Sequence, residues 1–373
     1  MFCETVGMAR VLVALSGGVD SSVAAMLACD AGHEVVGATM KLWGGDSDSG
    51  CCSVSDVEDA RRVANRLGID HHVFNFTEEF DHHVVTPYVE AHAAGSTPNP
   101  CIECNRHLKF DLFLKRAIRL GFDLVVTGHH ARVVREPLPD GTAGIARLLR
   151  GNDPRKDQSY VLSCLGQEAL ERIWLPVGDL SKDEVRALAA RRGLVTAVKP
   201  DSQEVCFIAG GSSPLARRRF LEPRLELHPG TVVDGRTGAV LGVVPAVELV
   251  TVGQRRGLGV AAGERRFAVE VDVAGRRVVL GDDSALQTSD VRLARRTWTA
   301  EPVAVGTPVV VQASAHGSTT PAEVTESGVR LTAPRRRVAP GQTVALYDAE
   351  TASVVLGSGT AVAAAPTLAP VAA

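Results

Sequence analysis

Three short stretches of this sequence carry side chains suited to chemistry. The first is Ser16-Gly17-Gly18-Val19-Asp20-Ser21-Ser22, which directly follows the apolar run at 11–15. A buried strand that breaks into Ser-Gly-Gly and then into a helix gathers unpaired N–H groups and the positive end of a helix dipole around one point, which suits a phosphate. The glycines let the backbone approach an anion without a Cβ in the way, and the hydroxyls of Ser16, Ser21 and Ser22 add donors. The Gly-Lys-Ser/Thr ending of the common P-loop is missing. The second stretch, Thr97-Pro98-Asn99-Pro100-Cys101-Ile102-Glu103-Cys104-Asn105, sets a Cys-x-x-Cys in a Pro- and Asn-rich loop ahead of a helix, whose N-terminus stabilises a thiolate. The third, Asp201-Ser202-Gln203-Glu204-Val205-Cys206-Phe207-Ile208, places a cysteine among polar residues before an apolar anchor.

The cysteines admit several readings. A reactive thiol pair is one. A structural zinc site is another; it needs a second ligand pair, and the adjacent Cys51-Cys52 lack the spacing, although a His from this His-rich half can join. An iron–sulfur cluster on Cys101, Cys104 and Cys206 is a third, not favoured. Cys206 taken alone also reads as a small buried hydrophobe. Cys3, Cys29 and Cys164 read as packing residues. His71, His72, His82, His83, His92 and His107 show no zinc-protease or triad spacing and are expected on solvated helix faces or in local hydrogen bonds.

The elements that position these stretches alternate. Strands are expected at 11–15, 34–40, 72–75 and 124–127, with helices around 21–31, 55–67 and 108–120 between them. This order implies right-handed crossovers and a doubly wound parallel sheet of the α/β class. Ligands of such a sheet lie at the carboxyl ends of its strands, where residues 16–21, Met40 and residues 127–129 all fall. Residues 167–194 read as helical, with Ser181 as N-cap and Asp183-Glu184 in the first turn. Beyond about residue 225, short β-branched runs at 231–233, 277–280, 308–311 and 343–346 predict one or two small antiparallel sheets or barrels. The expected division is 1–215, a catalytic domain with a helical extension; 216–287, a small β-rich domain; 288–362, a barrel-like domain; and 363–373, a disordered tail.

The 373 residues are enough for several domains, each with its own core. No apolar run reaches the length of a membrane span, and the start of the chain lacks a secretory pattern, so no membrane partner is expected. Eight cysteines without a compact disulfide framework fit a reducing cytoplasm. A net charge of −3 argues against indiscriminate nucleic-acid binding, while runs such as Arg217-Arg218-Arg219, Arg255-Arg256, Arg295-Arg296 and Arg335-Arg336-Arg337 leave room for local basic patches.

The glycine loop resembles the pyrophosphate loop (PP-loop) of ATPases that split ATP into AMP and pyrophosphate. Taken with Cys51-Cys52-Ser53, Cys104-Asn105, Lys109-Phe110, Thr127-Gly128-His129, Lys156-Asp157-Gln158-Ser159-Tyr160, the Cys206 stretch and Thr251-Val252-Gly253-Gln254-Arg255-Arg256-Gly257-Leu258, the sequence resembles the tRNA-specific 2-thiouridylases from about residue 10 to about 346. The resemblance implies an adenylating tRNA sulfurtransferase using ATP and Mg²⁺. It implies that Ala14, Leu15, Ser16, Gly17, Gly18, Val19, Asp20, Ser21, Met40 and Gly128 hold the nucleotide, and that Cys104 and Cys206 are catalytic, Cys206 carrying a persulfide and pairing with Cys104 in a disulfide. Asn99, Pro100 and Cys101 would meet the target base, and Lys156, Asp157 and Gln158 the tRNA near its anticodon stem-loop. Some members carry Asp where this chain has Cys101, whose role as spare thiol, base contact or redox partner stays open. A cysteine desulfurase or sulfur relay protein is the implied donor. Two other readings are a PP-loop synthetase that transfers nitrogen to a metabolite and a non-catalytic RNA-binding protein.

Overall fold

A computed structural model of the chain describes residues 7–43, 53–137, 143–201, 205–211, 213–260 and 265–363. Cys3, Cys51, Cys52, residues 202–204 and residues 364–373 of the expected tail lie outside the described residues.

Val11, Val13 and Leu15 face one hydrophobic cluster, while Leu12 and Ala14 face another. This is the period-two alternation of a strand buried on both faces. The strand Arg10–Ala14 lies at the middle of a five-stranded, all-parallel sheet ordered Asp70–Asn75, Glu34–Lys41, Arg10–Ala14, Leu124–Val126, Ile173–Trp174. The chain leaves Arg10–Ala14 first to one side and later to the other, so the crevice at that strand's carboxyl end is the switch point of the sheet. Helix Val19–Asp30 starts there, and its buried face of Val19, Val23 and Met26 joins Val185 and Ala189 of helix Lys182–Arg191 in one cluster.

Residues 167–194 depart from the expected helix. They form a helical turn Gln167–Leu170, the fifth strand Ile173–Trp174, a 3₁₀ turn Pro176–Asp179 and helix Lys182–Arg191. Pro176 cannot continue a helix, and Ile173 is wholly buried where the strand pairs with Val125. Ser181 caps the last helix as expected, its hydroxyl accepting from Glu184 N in a capping box. The helix expected at 108–120 begins earlier, running as Pro100–Glu103, a π-wound stretch Cys104–Leu112 and Phe113–Arg119. A hairpin, Ala131–Pro137 with Ala143–Arg150, follows the fourth strand and was not legible in the sequence.

The β-rich half forms two units. A four-stranded sheet orders Phe267–Asp272, Arg277–Gly281, Gly230–Asp234 and Val240–Val244. Its middle pair, Arg277–Gly281 with Gly230–Asp234, is parallel rather than antiparallel, because the long connection between them crosses back over the sheet. The second unit is a closed six-stranded antiparallel barrel of Gln287–Trp298, Gly328–Arg336, Thr320–Thr325, Pro308–Gln312, Thr343–Asp348 and Val355–Ala361, filled by Val309, Val324, Val329, Val344 and Leu346. Closure leaves no unpaired sheet edge.

The barrel is joined to the first domain through buried polar contacts. Tyr160 Oη donates to Thr343 O at 2.9 Å, Ser358 Oγ donates to Ser163 O at 3.0 Å, and the Arg150 guanidinium lies 3.8 Å from the centre of the Tyr347 ring. The central unit meets the first domain at His92, which is buried, in edge contact with Tyr88, and 3.4 Å from Glu248 O. His92 thus corrects the expectation of a solvated or locally bonded histidine, since its partner comes from another unit.

Candidate nucleotide and thiol site

The glycine loop turns where a side chain is not tolerated. Gly17 has φ +72°, and a Cβ there would lie 2.2 Å from Asp56 O. That carbonyl belongs to the first turn of helix Val54–Leu67, capped by Ser53, so a second helix N-terminus abuts the loop. Gly18 is the N-cap of helix Val19–Asp30 and offers no side-chain cap, which leaves the first-turn N–H groups to a ligand. Ser21 Oγ accepts from Ser16 N at 3.2 Å and donates to Gly18 O at 3.0 Å; Ser22 Oγ donates to the same carbonyl at 2.8 Å. Ser16 is exposed, while Ala14, Leu15 and Val19 are buried and contribute backbone to the loop. Gly128 lies against this turn: a Cβ there would come within 2.5 Å of Ser21 N. Met40, near the end of strand Glu34–Lys41, is half-buried against the cluster that also contains Cys104.

Asp20 is the electrostatic hub. His130 Nε2 donates to Oδ1 at 3.0 Å, and Lys182 Nζ donates to Oδ1 and Oδ2 at 2.8 and 2.7 Å. Burial pushes the Asp20 carboxyl up, but the bonds and charges of His130 and Lys182 outweigh it and hold it below the usual carboxylate range. Lys182, itself buried, also reaches Asp201 Oδ1 at 2.8 Å. Asp201 in turn accepts from Lys156 Nζ at 2.7 Å and Arg186 at 2.8 Å; against its burial, Lys156 and Lys182 bring its carboxyl down to about 2. One chain of charges therefore runs from the glycine loop to the start of the Cys206 stretch and to Lys156.

Sequence reasoning missed His130, Lys182 and Arg186. One signal was available for Lys182: a lysine directly after an N-cap opposes the helix dipole, which points to a nearby anion without saying which.

Cys104 and Cys206 both border one large hydrophobic cluster. Asn99 Oδ1 accepts from Cys101 N at 3.0 Å and starts the helical run; Cys101 is half-buried and Cys104 buried. Cys104 belongs to the same hydrophobic cluster as Phe207 and Ile208, and Val205 and Cys206 pack against that cluster. Phe207 is wedged among Phe80, Tyr88 and Phe220, with ring centres 5.0 to 5.7 Å apart, which is the apolar anchor expected after Cys206. Val205 has φ +54°, a costly conformation for a β-branched residue, directly before Cys206. Asn105 is buried and donates from Nδ2 to Val161 O at 3.1 Å. Cys164 is buried and its thiol is pushed up to about 12 by desolvation, as suits a packing residue. Among the described residues no three His, Cys, Asp or Glu side chains group as a metal site.

The Lys156–Tyr160 motif divides its labour. Lys156 is half-exposed and pairs with Asp201. Asp157 is buried, its carboxylate accepting from Gly151 N, Ser159 N, Arg150 and Ser159 Oγ at 2.7 to 3.0 Å. Gln158 Oε1 accepts from His130 N at 2.8 Å, and Ser159 and Tyr160 bond into the barrel. Much of a motif expected to face RNA is thus bonded inward.

Sheet order, glycine loop and trailing β units define a nucleotide-binding α/β protein of the PP-loop class. A family described as tRNA methyl transferase HUP domain matches residues 9–210, one described as tRNA methyl transferase PRC-barrel domain matches 218–282, and an aminomethyltransferase beta-barrel domain matches 288–361. The chain is 43% identical over 377 residues to the tRNA-specific 2-thiouridylase MnmA of Roseiflexus castenholzii, covering 94% of this chain and 99% of that protein. It is 44% identical over 364 residues to the protein of the same name from Saccharopolyspora erythraea, covering 94% and 98%. A 4-thiouridine synthetase–RNA complex with bound ATP is similar at a TM-score of 0.36 and 17% identity, over 57% of this chain and 50% of that one, a likeness too distant to bear on function. The chain belongs to the tRNA-specific 2-thiouridylase family.

Proposed function

We propose that this protein replaces the 2-oxygen of a tRNA wobble uridine with sulfur, at the expense of ATP. The observation that carries the reading is the pairing of an open phosphate-binding turn at residues 16–21 with two cysteines, Cys104 and Cys206, on one core cluster. A synthetase that moves nitrogen leaves both thiols without a task, and methyl transfer has no use for a pyrophosphate loop.

A uracil oxygen is a poor leaving group, so it first attacks the α-phosphorus of ATP and expels pyrophosphate. Negative charge then accumulates on the departing group, and the N–H groups after Gly18, the hydroxyls of Ser16 and Ser21 and the Lys182 ammonium are the donors that receive it. Lys182 exchanges Asp20 and Asp201 for phosphate oxygens. Magnesium enters as part of the substrate, MgATP. Met40 and Gly128 flank the nucleotide.

In the second half, the terminal sulfur of a persulfide on Cys206 attacks C2 and AMP departs with the oxygen. The Cys104 thiolate then attacks the Cys206 sulfur, the base leaves as 2-thiouracil, and a Cys104–Cys206 disulfide remains for an external thiol to reduce. Asn99, Pro100 and Cys101 meet the base. Lys156 draws the tRNA backbone by charge, while Asp157 and Gln158 act by shaping the turn that presents it. The sulfur comes from a donor protein in the cytoplasm, either a cysteine desulfurase or a relay.

The test is nucleoside mass spectrometry of unmodified tRNA incubated with the protein, MgATP and a persulfide donor. The expected product is 2-thiouridine, absent with Cys104→Ser or Cys206→Ser. Product formation by either variant overturns the mechanism.

A further inference from the structure

The residues on either side of Cys104 are held by the C-terminal barrel. Glu103, whose side chain is only 14% exposed, lies 3.3 Å from the Arg295 guanidinium. Arg106 donates to Thr297 Oγ1 at 2.9 Å and lies 3.7 Å from Glu103, which also receives His107 at 3.3 Å. Arg295 and Thr297 come from the one irregular place in strand Gln287–Trp298 where its register with Val355–Ala361 slips, between Ala294 and Thr297. Arg295 adopts φ +46° there. Arg295 and Thr297, two residues apart and so on one face of the strand, both reach the helical run that carries Cys104, at the point where the bulge bends the strand.

The other end of the same segment is gripped as well. Thr97 N donates to Pro340 O at 2.9 Å and Gln342 Nε2 donates to Thr97 O. Gly341, at φ +90°, comes so close that a Cβ would stand 3.1 Å from Thr97 N. Residues 98–102, which include Asn99, Pro100 and Cys101, are therefore suspended between two barrel contacts, with Cys104 just inside the second.

We infer that the barrel is a jaw that sets the position of Cys104, and that Glu103, Arg106, Arg295 and Thr297 are positioning residues for sulfur transfer. The inference rests on the sulfur-transfer reading above. An exposed ion pair contributes little to folding by itself, so Arg295, with 61% of its side chain exposed, is explained better by placing Glu103 than by holding the protein together. Attack on a cysteine-bound sulfur is sensitive to alignment: misplacement by about 1 Å costs up to about 10²-fold in rate. Adenylation takes place at the glycine loop and makes no use of Cys104.

The experiment uses the full-length protein with unmodified tRNA, comparing Arg295→Glu, Glu103→Arg and the double reversal. Pyrophosphate release and 2-thiouridine formation are followed in single turnovers at saturating tRNA. Each single reversal is expected to slow 2-thiouridine formation about tenfold while pyrophosphate release stays within about twofold, and the double reversal to recover most of the loss. Thr297→Val, which removes only the acceptor of Arg106, gives a smaller loss of the same kind and serves if a reversal does not fold. Unchanged thiolation in the singles, or a double no faster than the slower single, overturns the jaw. Recovery in the double separates pairing from an RNA contact, because a second reversal cannot restore a lost phosphate contact. If the unaltered protein releases no pyrophosphate with tRNA, the functional reading itself fails and the jaw falls with it.

Discussion

Lys182 Nζ stands 2.8 and 2.7 Å from the two carboxylate oxygens of Asp20, across 162 residues of chain. A buried ammonium persists only where anions surround it, and here Asp20 and Asp201 do so. The glycine loop contains no lysine of its own, and in the proposed reaction this side chain supplies the cation. Lys182→Met is expected to lower pyrophosphate release by about 10²-fold or more, as loss of a preorganised donor to developing charge does, with Lys182→Arg less affected. A rate within about twofold of the parent protein, measured by a coupled pyrophosphate assay, contradicts the assignment.

Gly17→Ala sets a Cβ into the Asp56 carbonyl at a positive φ. The loop must shift or strain, at about 1–3 kcal/mol, and its N–H groups lose their convergence. ATP affinity is expected to fall about tenfold or more in a calorimetric titration, while Gly32→Ala, at a comparable φ but with nothing near the added carbon, leaves ATP binding unchanged.

His92 gives the fold a pH dependence. Burial, then the Arg217 charge, lower its pKa to about 4, the bond to Glu248 O opposing them. The unfolded chain binds this proton near pH 6.5 and the folded one only near 4, so its contribution is fully present above about pH 6.5 and is lost as pH falls toward about 4, to a total of about 3 kcal/mol. Urea unfolding between about pH 7 and about pH 4.5 should show this slope in the parent and a shallower one in His92→Gln. Equal slopes would count against a neutral buried imidazole.

Cys164 is the control for the two thiols proposed to carry sulfur. Its pKa of about 12 keeps it protonated, so it should resist alkylation in the folded protein at about pH 8. Cys164→Ala should preserve 2-thiouridine yield at a stability cost of about 1 kcal/mol. Loss of product in this variant, with folding intact by circular dichroism, would require a third thiol in the reaction.

The parts legible in the sequence are those coded locally. The glycine loop announces itself because strand, Gly-Gly and helix N-terminus are contiguous, and the parallel sheet follows from alternating periods. The fifth strand was hidden because Ile173–Trp174 is two residues long, too short to show a period. His130 and Lys182 were hidden for another reason: they meet Asp20 over 110 and 162 residues, and although a lysine at a helix start points to some anion, no local pattern says which. Lys156–Tyr160 reads as a polar turn with an RNA role, yet Asp157, Ser159 and Tyr160 spend their polar atoms inside the protein.

That last arrangement limits how the molecule can be divided. Three family descriptions cover the chain as if they were separable beads, but Tyr160 and Ser159 end on Thr343 and Tyr347. Cutting the chain ahead of the barrel would strand a phenol, a hydroxyl and the Arg150 guanidinium in a freshly opened apolar wound, so an excised N-terminal fragment should be recovered as insoluble material rather than as a minimal adenylating enzyme.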